Sequence, residues 1–357
     1  MKTARIRPGR PVPAGLVGAV LTRDLVAGGE RWPKGRRLTA ADLRAIAAAP
    51  YVGGETTVLL PAPGELHEDD AARRLAAIVG GPGLRARPPR ESRVDLVARR
   101  DGVAWVDQAL LARLDAIDAL EVFTVLDGQI VRAGQLVASA KIAPHLIPRR
   151  VLDRAARLAA GRAVVRVAGF RPRRVAALVK ESLHAPARAR FEASVRQKVE
   201  ALGSELVGPV YVADELDPVT AALRGLLTAR PSVDIILTAG GASTDPDDPF
   251  YQALAAVGGR LVRQGVPAHP GSMLWLGRAG RTTILGLPTC GAYSRATAAD
   301  LLLPWLLSGA PATRATVARL GHGGILTRDM RFRMPAYAHA LDAPGGSRAM
   351  RPDERGE

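Results

Sequence analysis

An α/β domain on a doubly wound, mostly parallel sheet is predicted for residues 163–310, preceded by small β-rich α+β modules. Three observations carry this prediction. From Ala163 onward, strand-like apolar runs alternate with helical patterns, the order expected of a parallel sheet. A glycine-rich turn, Thr238-Ala-Gly-Gly-Ala-Ser-Thr-Asp245-Pro-Asp-Asp248-Pro249, separates the apolar run Val233–Leu237 from the helical pattern Phe250–Val257. Short alternating runs divided by glycines fill the first half, as in compact β-rich modules.

Residues 1–84 read as an N-terminal module. Gly15–Leu21, Leu25–Gly29 and Thr56–Leu60 are its apolar runs, and Leu38–Ile46 predicts a helix capped by Thr39. Residues 68–80 form a second helical pattern, ended by Gly80-Gly-Pro-Gly83. Residues 85–162 form an accessory α+β module, opening with Arg85-Ala-Arg-Pro-Pro-Arg90, read as an exposed and solvated linker. Gly102–Val106 predicts a strand, and Asp107–Leu120 a helix with Leu110, Leu111, Leu114 and Ile117 on one side. Val122–Val125, Gly128–Val131 and Gly134–Ile142 alternate as strands.

Within residues 163–310, Val164–Ala168, Arg174–Val179 and Glu205–Val212 predict strands, and Arg188–Leu202 a helix ended by Gly203. Asp217 is the expected cap of a helix from Pro218 to Leu227. Arg260–Arg263, Met273–Leu276 and Thr282–Gly286 add strands, and Ala296–Leu307 the last helix. Residues 311–357 are a C-terminal extension, Arg-rich after Gly321 and expected to be disordered from Ala343.

Composition narrows the function. Of 357 residues, 47% are hydrophobic but only 4% aromatic, so aliphatic side chains must build the cores. A single cysteine, Cys290, excludes an intramolecular disulfide and a Cys-rich zinc site, and fits the cytoplasm. No apolar run approaches the ~20 residues of a membrane span. The basic N-terminus lacks the long apolar segment of a secretory signal. A net charge of +16 raises nucleic-acid binding as a question. The charge is nearly all arginine and is spread along the chain, without an RNP-like aromatic motif or a zinc finger. Nucleic acid is therefore not the expected partner, and a small anion suits a basic cleft equally. His145, His184, His269 and His322 show no metal-ligand spacing. A nucleophile elbow and a Walker loop are both absent.

The glycine-rich turn is the candidate site, because ligands of open α/β sheets sit at the carboxyl ends of strands. Gly240 and Gly241 allow a ligand close to the backbone. Ser243, Thr244 and Asp245 are helix-capping types, and Pro246 and Pro249 suit a first helical turn. Free N–H groups at such a helix start attract phosphate, by about 0.3–1 kcal/mol from the dipole. Asp245 and Asp248 are candidates to hold Mg²⁺, or to bond the polar edge of a ring system. An ordinary turn with a capping aspartate is the competing reading of the same residues.

Two further turns follow in order: Val266-Pro-Ala-His-Pro-Gly-Ser-Met273, then Ile284-Leu-Gly-Leu-Pro-Thr-Cys290 before an apolar helix. Together with Gly240–Asp248, and with Arg190…Leu202-Gly-x-x-Leu206…Asp214 upstream, they resemble the molybdopterin-binding domain of molybdopterin molybdotransferases and adenylyltransferases. The resemblance implies that Asp248 takes the family's acidic position at the pterin site, with Asp245 as its helper. It implies that Gly240, Gly241 and Ser243, with Thr244 on the same turn, cradle phosphate. Pro270, Gly271 and Ser272 would wall the pocket, and Gly286, Leu287 and Pro288 would form its third edge. Two departures stand out. The family's Pro-Gly-Lys-Pro is Pro270-Gly-Ser-Met273 here, so a lysine is missing, and Thr289 replaces a glycine of the last turn.

By this resemblance the expected ligand is molybdopterin or its nucleotide form, and the expected role lies in molybdenum cofactor biosynthesis. Molybdate insertion, with Asp248 and Asp245 as the catalytic and Mg²⁺-holding carboxylates, is its enzymatic form. A non-catalytic carrier or sensor, and a nucleotide or phosphate hydrolase on the same fold, remain as alternatives. The family's habits imply a homo-oligomer, and the β-rich half a molybdoenzyme or cofactor-maturation partner. Cys290 reads either as a thiol at the rim of the site or, preferably, as a small buried hydrophobe.

Overall fold

The computed structural model describes residues 2–27, 29–50, 54–180, 185–241, 243–287 and 296–340. Disorder from Ala343 was expected for a segment that lies outside these residues. The chain divides into two compact units, the first ending at Val167 and the second running mainly from Ala168.

The first unit is β-rich. Lys2–Ile6 and Val20–Leu21 flank Thr56–Leu60 in a small antiparallel sheet. Its core holds Ile6, Leu21, Trp32, Leu38, Ile46 and Val58. The helix Ala40–Ala48 starts as its sequence predicts: Thr39 accepts from the Asp42 N–H, and Asp42 accepts from the Thr39 N–H in return. Farther along, Leu120–Thr124, Leu136–Ile142, Arg93–Ala98 and Leu84–Ala86 form a four-stranded antiparallel sheet.

In this unit the structure departs from the sequence expectations at two places. The stretch read as a linker from Arg85 begins inside an edge strand, where Arg85 pairs with Val97 and Ala86 with Leu96. An edge strand needs only one bonded side, so exposed arginines do not prevent it. The helix expected over Asp107–Leu120 spans only Gln108–Asp115. Asp107 is its cap; at the other end the Asp115 carboxylate accepts from the Val122 N–H at 2.8 Å, and Ala119 takes a φ of +76°. Leu120 then enters a strand, because its partners lie across the sheet.

The second unit holds the sheet that positions the site. Its strands are β1 (Arg174–Val179), β2 (Glu205–Tyr211), β3 (Ile235–Ala239), β4 (Arg260–Gln264), β5 (Trp275–Ala279) and β6 (Thr282–Gly286). Helices α1 (Ala185–Glu200), α2 (Leu216–Thr228), α3 (Pro249–Ala256) and α4 (Ala299–Leu307) accompany them. The spatial order is β2-β1-β3-β6-β5-β4. β1 pairs in parallel with β2 and β3, and β3 with β6, whereas β5 runs antiparallel to both β4 and β6. This is the mostly parallel, doubly wound α/β sheet the sequence predicts.

Both faces of the central strands are covered. Ala176, Leu178, Ile236 and Ile284 share a cluster with Val219 and Leu223 of α2 and with Phe250 and Leu254 of α3. The intervening Val175, Ala177, Val179, Ile235 and Leu237 are buried as well. A strand buried on both faces reads as a continuous apolar run, which is why Val-Ala-Ala-Leu-Val and Ile-Ile-Leu show no alternation. Asp217 does not cap α2 as expected. The helix begins at Leu216 after Glu215, without a side-chain cap, and leaves Asp217 in the first turn, where the helix dipole still favours it.

Candidate functional site

The parallel strands β1, β2, β3 and β6 all end at one edge of the sheet, the edge where open α/β sheets take ligands. Backbone bonds continue past the strand ends. The Lys180 N–H donates to the Ala239 carbonyl at 3.2 Å, the Val212 N–H to Val179 at 2.9 Å and the Leu287 N–H to Thr238 at 2.8 Å. Four chain segments are thereby tied down beside one another.

The turn after β3 carries the predicted residues. Gly240 has a φ of +87°, which a side chain would strain. A Cβ on Gly241 would come 3.1 Å from the Phe250 ring and 3.5 Å from Asp248 Oδ2, so this glycine keeps the carboxylate's flank open. Thr244 to Asp247 are exposed, and the Asp245 carboxylate accepts from the Asp247 N–H at 2.9 Å. The helix cap is Asp248, with Pro249 as the first helical residue, not Ser243, Thr244 or Asp245. Asp248 Oδ1 accepts from the Phe250 N–H at 2.8 Å. The Tyr251 hydroxyl and the Gln264 amide both donate to the Ser243 carbonyl, at 2.9 and 2.7 Å. Burial, and then the Asp248 charge, push the Tyr251 hydroxyl up to about 12.

The residue that sequence reasoning missed is Lys180. It follows β1 directly, and its side chain is 3% exposed. Its ammonium lies 3.1 Å from Asp248 Oδ2, a carboxylate that is itself 2% exposed, and 2.6 Å from Asp214 Oδ1 beyond β2. It also stands 5.5 Å from the Phe250 ring centroid, within reach of a cation–π contact. The available signal was a lysine ending a wholly apolar run, at the strand end where a ligand would sit. Asp248 thus spends one oxygen on its helix and the other on Lys180. Among the described residues, no group of three or more His, Cys, Asp or Glu side chains is placed to hold a metal ion.

The other predicted positions have different surroundings. A Cβ on Gly286 would fall 1.9 Å from Trp275 Nε1, so this glycine makes room for the indole facing it across the β5–β6 pair. That indole packs against Tyr251, with ring centroids 5.2 Å apart, and supports the start of α3 from below. Leu287 is buried behind the edge. Pro270 and Gly271 sit against the approach to α4: the Pro270 carbonyl accepts from the Ala298 N–H, and a Cβ on Gly271 would meet that nitrogen at 2.8 Å. The Ser272 carbonyl accepts from the Val266 N–H. Pro288, Thr289 and Cys290 lie outside the described residues.

Residues 181–308 match the family model described as a probable molybdopterin binding domain. The resemblance read from the three turns holds for this segment, which includes Asp214 and the turn Gly240–Asp248 and begins just after Lys180. No curated protein matches the chain. Among solved structures, the molybdopterin biosynthesis moea protein from Pyrococcus horikosii is 14% identical, with a TM-score of 0.29, over 69% of this chain and 80% of that one. A molybdenum cofactor biosynthesis protein B is 13% identical, with a TM-score of 0.28, over 43% of this chain and 94% of the other.

Proposed function

We propose that the second unit binds molybdopterin, or its nucleotide form, at the carboxyl edge of β1, β2 and β3, and serves molybdenum cofactor biosynthesis. The observation that carries this reading is the place of Gly240–Asp248: a glycine-opened turn at a parallel-sheet edge, inside the segment that matches a probable molybdopterin binding domain. Its glycines let a phosphate approach main-chain N–H groups, and its exposed Thr244–Asp247 face offers acceptors for the pterin's amino and ring N–H donors. Mg²⁺ at Asp245 and Asp248 has little support, because Asp248 is engaged through both oxygens and Asp245 bonds its own loop.

The same engagement favours holding the pterin over loading it with metal. A carboxylate held by a helix N–H and a lysine is fixed in place and has fewer lone pairs left for a metal ion or a proton. Molybdate insertion is the catalytic form of the reading, and a carrier is the form this geometry favours. Mass spectrometry and oxidised-pterin fluorescence, on protein purified from a host that makes molybdopterin, test the ligand class. Stoichiometric pterin is expected, and failure to bind added molybdopterin would remove the reading. A molybdate-dependent turnover assay separates the two forms, because robust conversion would exclude the carrier.

A further inference from the structure

We propose that Lys180 is the anion-binding residue of this site, and that Asp214 occupies the place of the ligand's phosphate until the ligand displaces it. The inference rests on the reading that a phosphate-bearing ligand enters at this edge. The Lys180 ammonium has three donors, and the described carboxylates around it are unlike each other. Asp248 is buried and fixed by its bond to the Phe250 N–H. Asp214 is 59% exposed, on the bend between β2 and α2, and it closes the solvent side of the ammonium at 2.6 Å. One cation therefore faces two anions, and only one of those anions can leave.

An exposed carboxylate is easily exchanged. Its pairing contributes little in water, and once it swings out it regains full hydration. A phosphate oxygen arriving in its stead keeps the ammonium paired and adds the main-chain N–H groups of the neighbouring turn. The buried half of the device, Lys180 with Asp248, stays in place throughout. The lysine absent from the Pro270-Gly-Ser-Met273 turn then has a counterpart on another strand end. Asp248 already matches the ammonium's charge, so the phosphate is met by the ammonium's remaining donors and the main-chain N–H groups, and binding without a divalent ion is the expected outcome.

The test is calorimetric titration of the full chain with inorganic pyrophosphate, and separately with molybdopterin, both in excess EDTA. Wild type is expected to bind both. Asp214→Asn, a change at an exposed position, is expected to bind pyrophosphate about fivefold tighter, the effect of removing one competing surface carboxylate. Lys180→Met alone strands the Asp248 charge, so the loss-of-binding variant is Lys180→Met combined with Asp248→Asn. It is expected to lose at least about tenfold in affinity, as for a charge-assisted contact. Unchanged or weaker binding by Asp214→Asn, or wild-type binding that appears only with Mg²⁺, overturns the proposal. If pyrophosphate behaves as expected and molybdopterin does not bind, Lys180 keeps its role and the pterin reading fails. If molybdopterin binds all three proteins alike, the pterin reading stands and Lys180 loses its role.

Discussion

The second unit contains two buried lysine–aspartate pairs with nearly the same construction. Lys180 pairs with Asp248 at the sheet edge; Lys198 of α1 pairs with Asp300 of α4 at 2.5 Å. In each, one aspartate oxygen takes the lysine and the other takes a backbone N–H, from Phe250 in the first pair and from Thr297 in the second. Each lysine also stands 5.5 Å from an aromatic ring, Phe250 or Tyr337. The pairs differ in the third partner. Lys180 meets the exposed carboxylate of Asp214, whereas the Lys198 pair is 4% and 0% exposed and lies beside the phenol of Tyr337. A cation sealed under a neutral ring ties two helices together. A cation closed on one side by a hydrated anion has a side that can be exchanged.

The largest expected effect lies at the sealed pair. Lys198→Met leaves Asp300 without its counter-charge in the interior, and should lower unfolding free energy by about 3–5 kcal/mol. Lys180→Met strands Asp248, itself 2% exposed, beneath an exposed Asp214 that can swing aside and admit water, and should cost about 1–3 kcal/mol. Urea unfolding of both variants measures the gap. An equal or larger cost for Lys180→Met would make both pairs structural braces and end the distinction. Asp248→Asn keeps the helix cap but turns its amide NH2 toward the Lys180 ammonium, so a cost of about 1–3 kcal/mol, close to that of Lys180→Met, is expected. Pterin retention should fall as well, since the ligand displaces Asp214 and Lys180 would then have no fixed carboxylate to position it. Full retention would take Asp248 out of the site.

The sheet was legible because its physics is local. Val175–Val179 and Ile235–Leu237 are apolar without alternation, and only a strand covered on both faces needs that. The Gly240–Asp248 turn was legible because a φ above zero leaves its mark in glycine, but its cap was not, because capping types at Ser243, Thr244 and Asp245 compete with the true cap, Asp248. The two lysines were not. Lys180 lies 34 residues from Asp214, and Lys198 lies 102 residues from Asp300, so no local spacing signals either pair. Gly286 was legible as a required glycine but not for its reason. Its neighbour is the Trp275 indole on the paired strand, a cross-strand contact that a single segment cannot reveal. The short helix Gln108–Asp115 shows the same limit: helical spacing ran on to Leu120, and sheet pairing overrode it.

Alkaline titration extends the comparison to the tyrosines beside the two pairs. Burial and then the Asp300 charge push the Tyr337 hydroxyl well above its ordinary value, while burial and then the Asp248 charge hold Tyr251 at about 12. Both hydroxyls keep their protons in the folded chain at a pH where the unfolded chain has begun to lose them. Stability from these groups is therefore fully present below the ordinary tyrosine value of about 10, and falls as pH rises toward the folded values. Each such tyrosine contributes at most about 1.4 kcal/mol per pH unit to the slope within its own window. Tyr337→Phe should flatten the decline over the longer range, because its phenol is sealed. Tyr251→Phe should flatten it only up to about pH 12, the value at which its hydroxyl titrates in the folded chain. Urea midpoints of the two variants across this range decide the matter. If the two phenylalanine variants give the same slope, the tyrosine over the ligand edge is as enclosed as the one over the brace. The edge would then lack the solvent access on which the exchange at Lys180 depends.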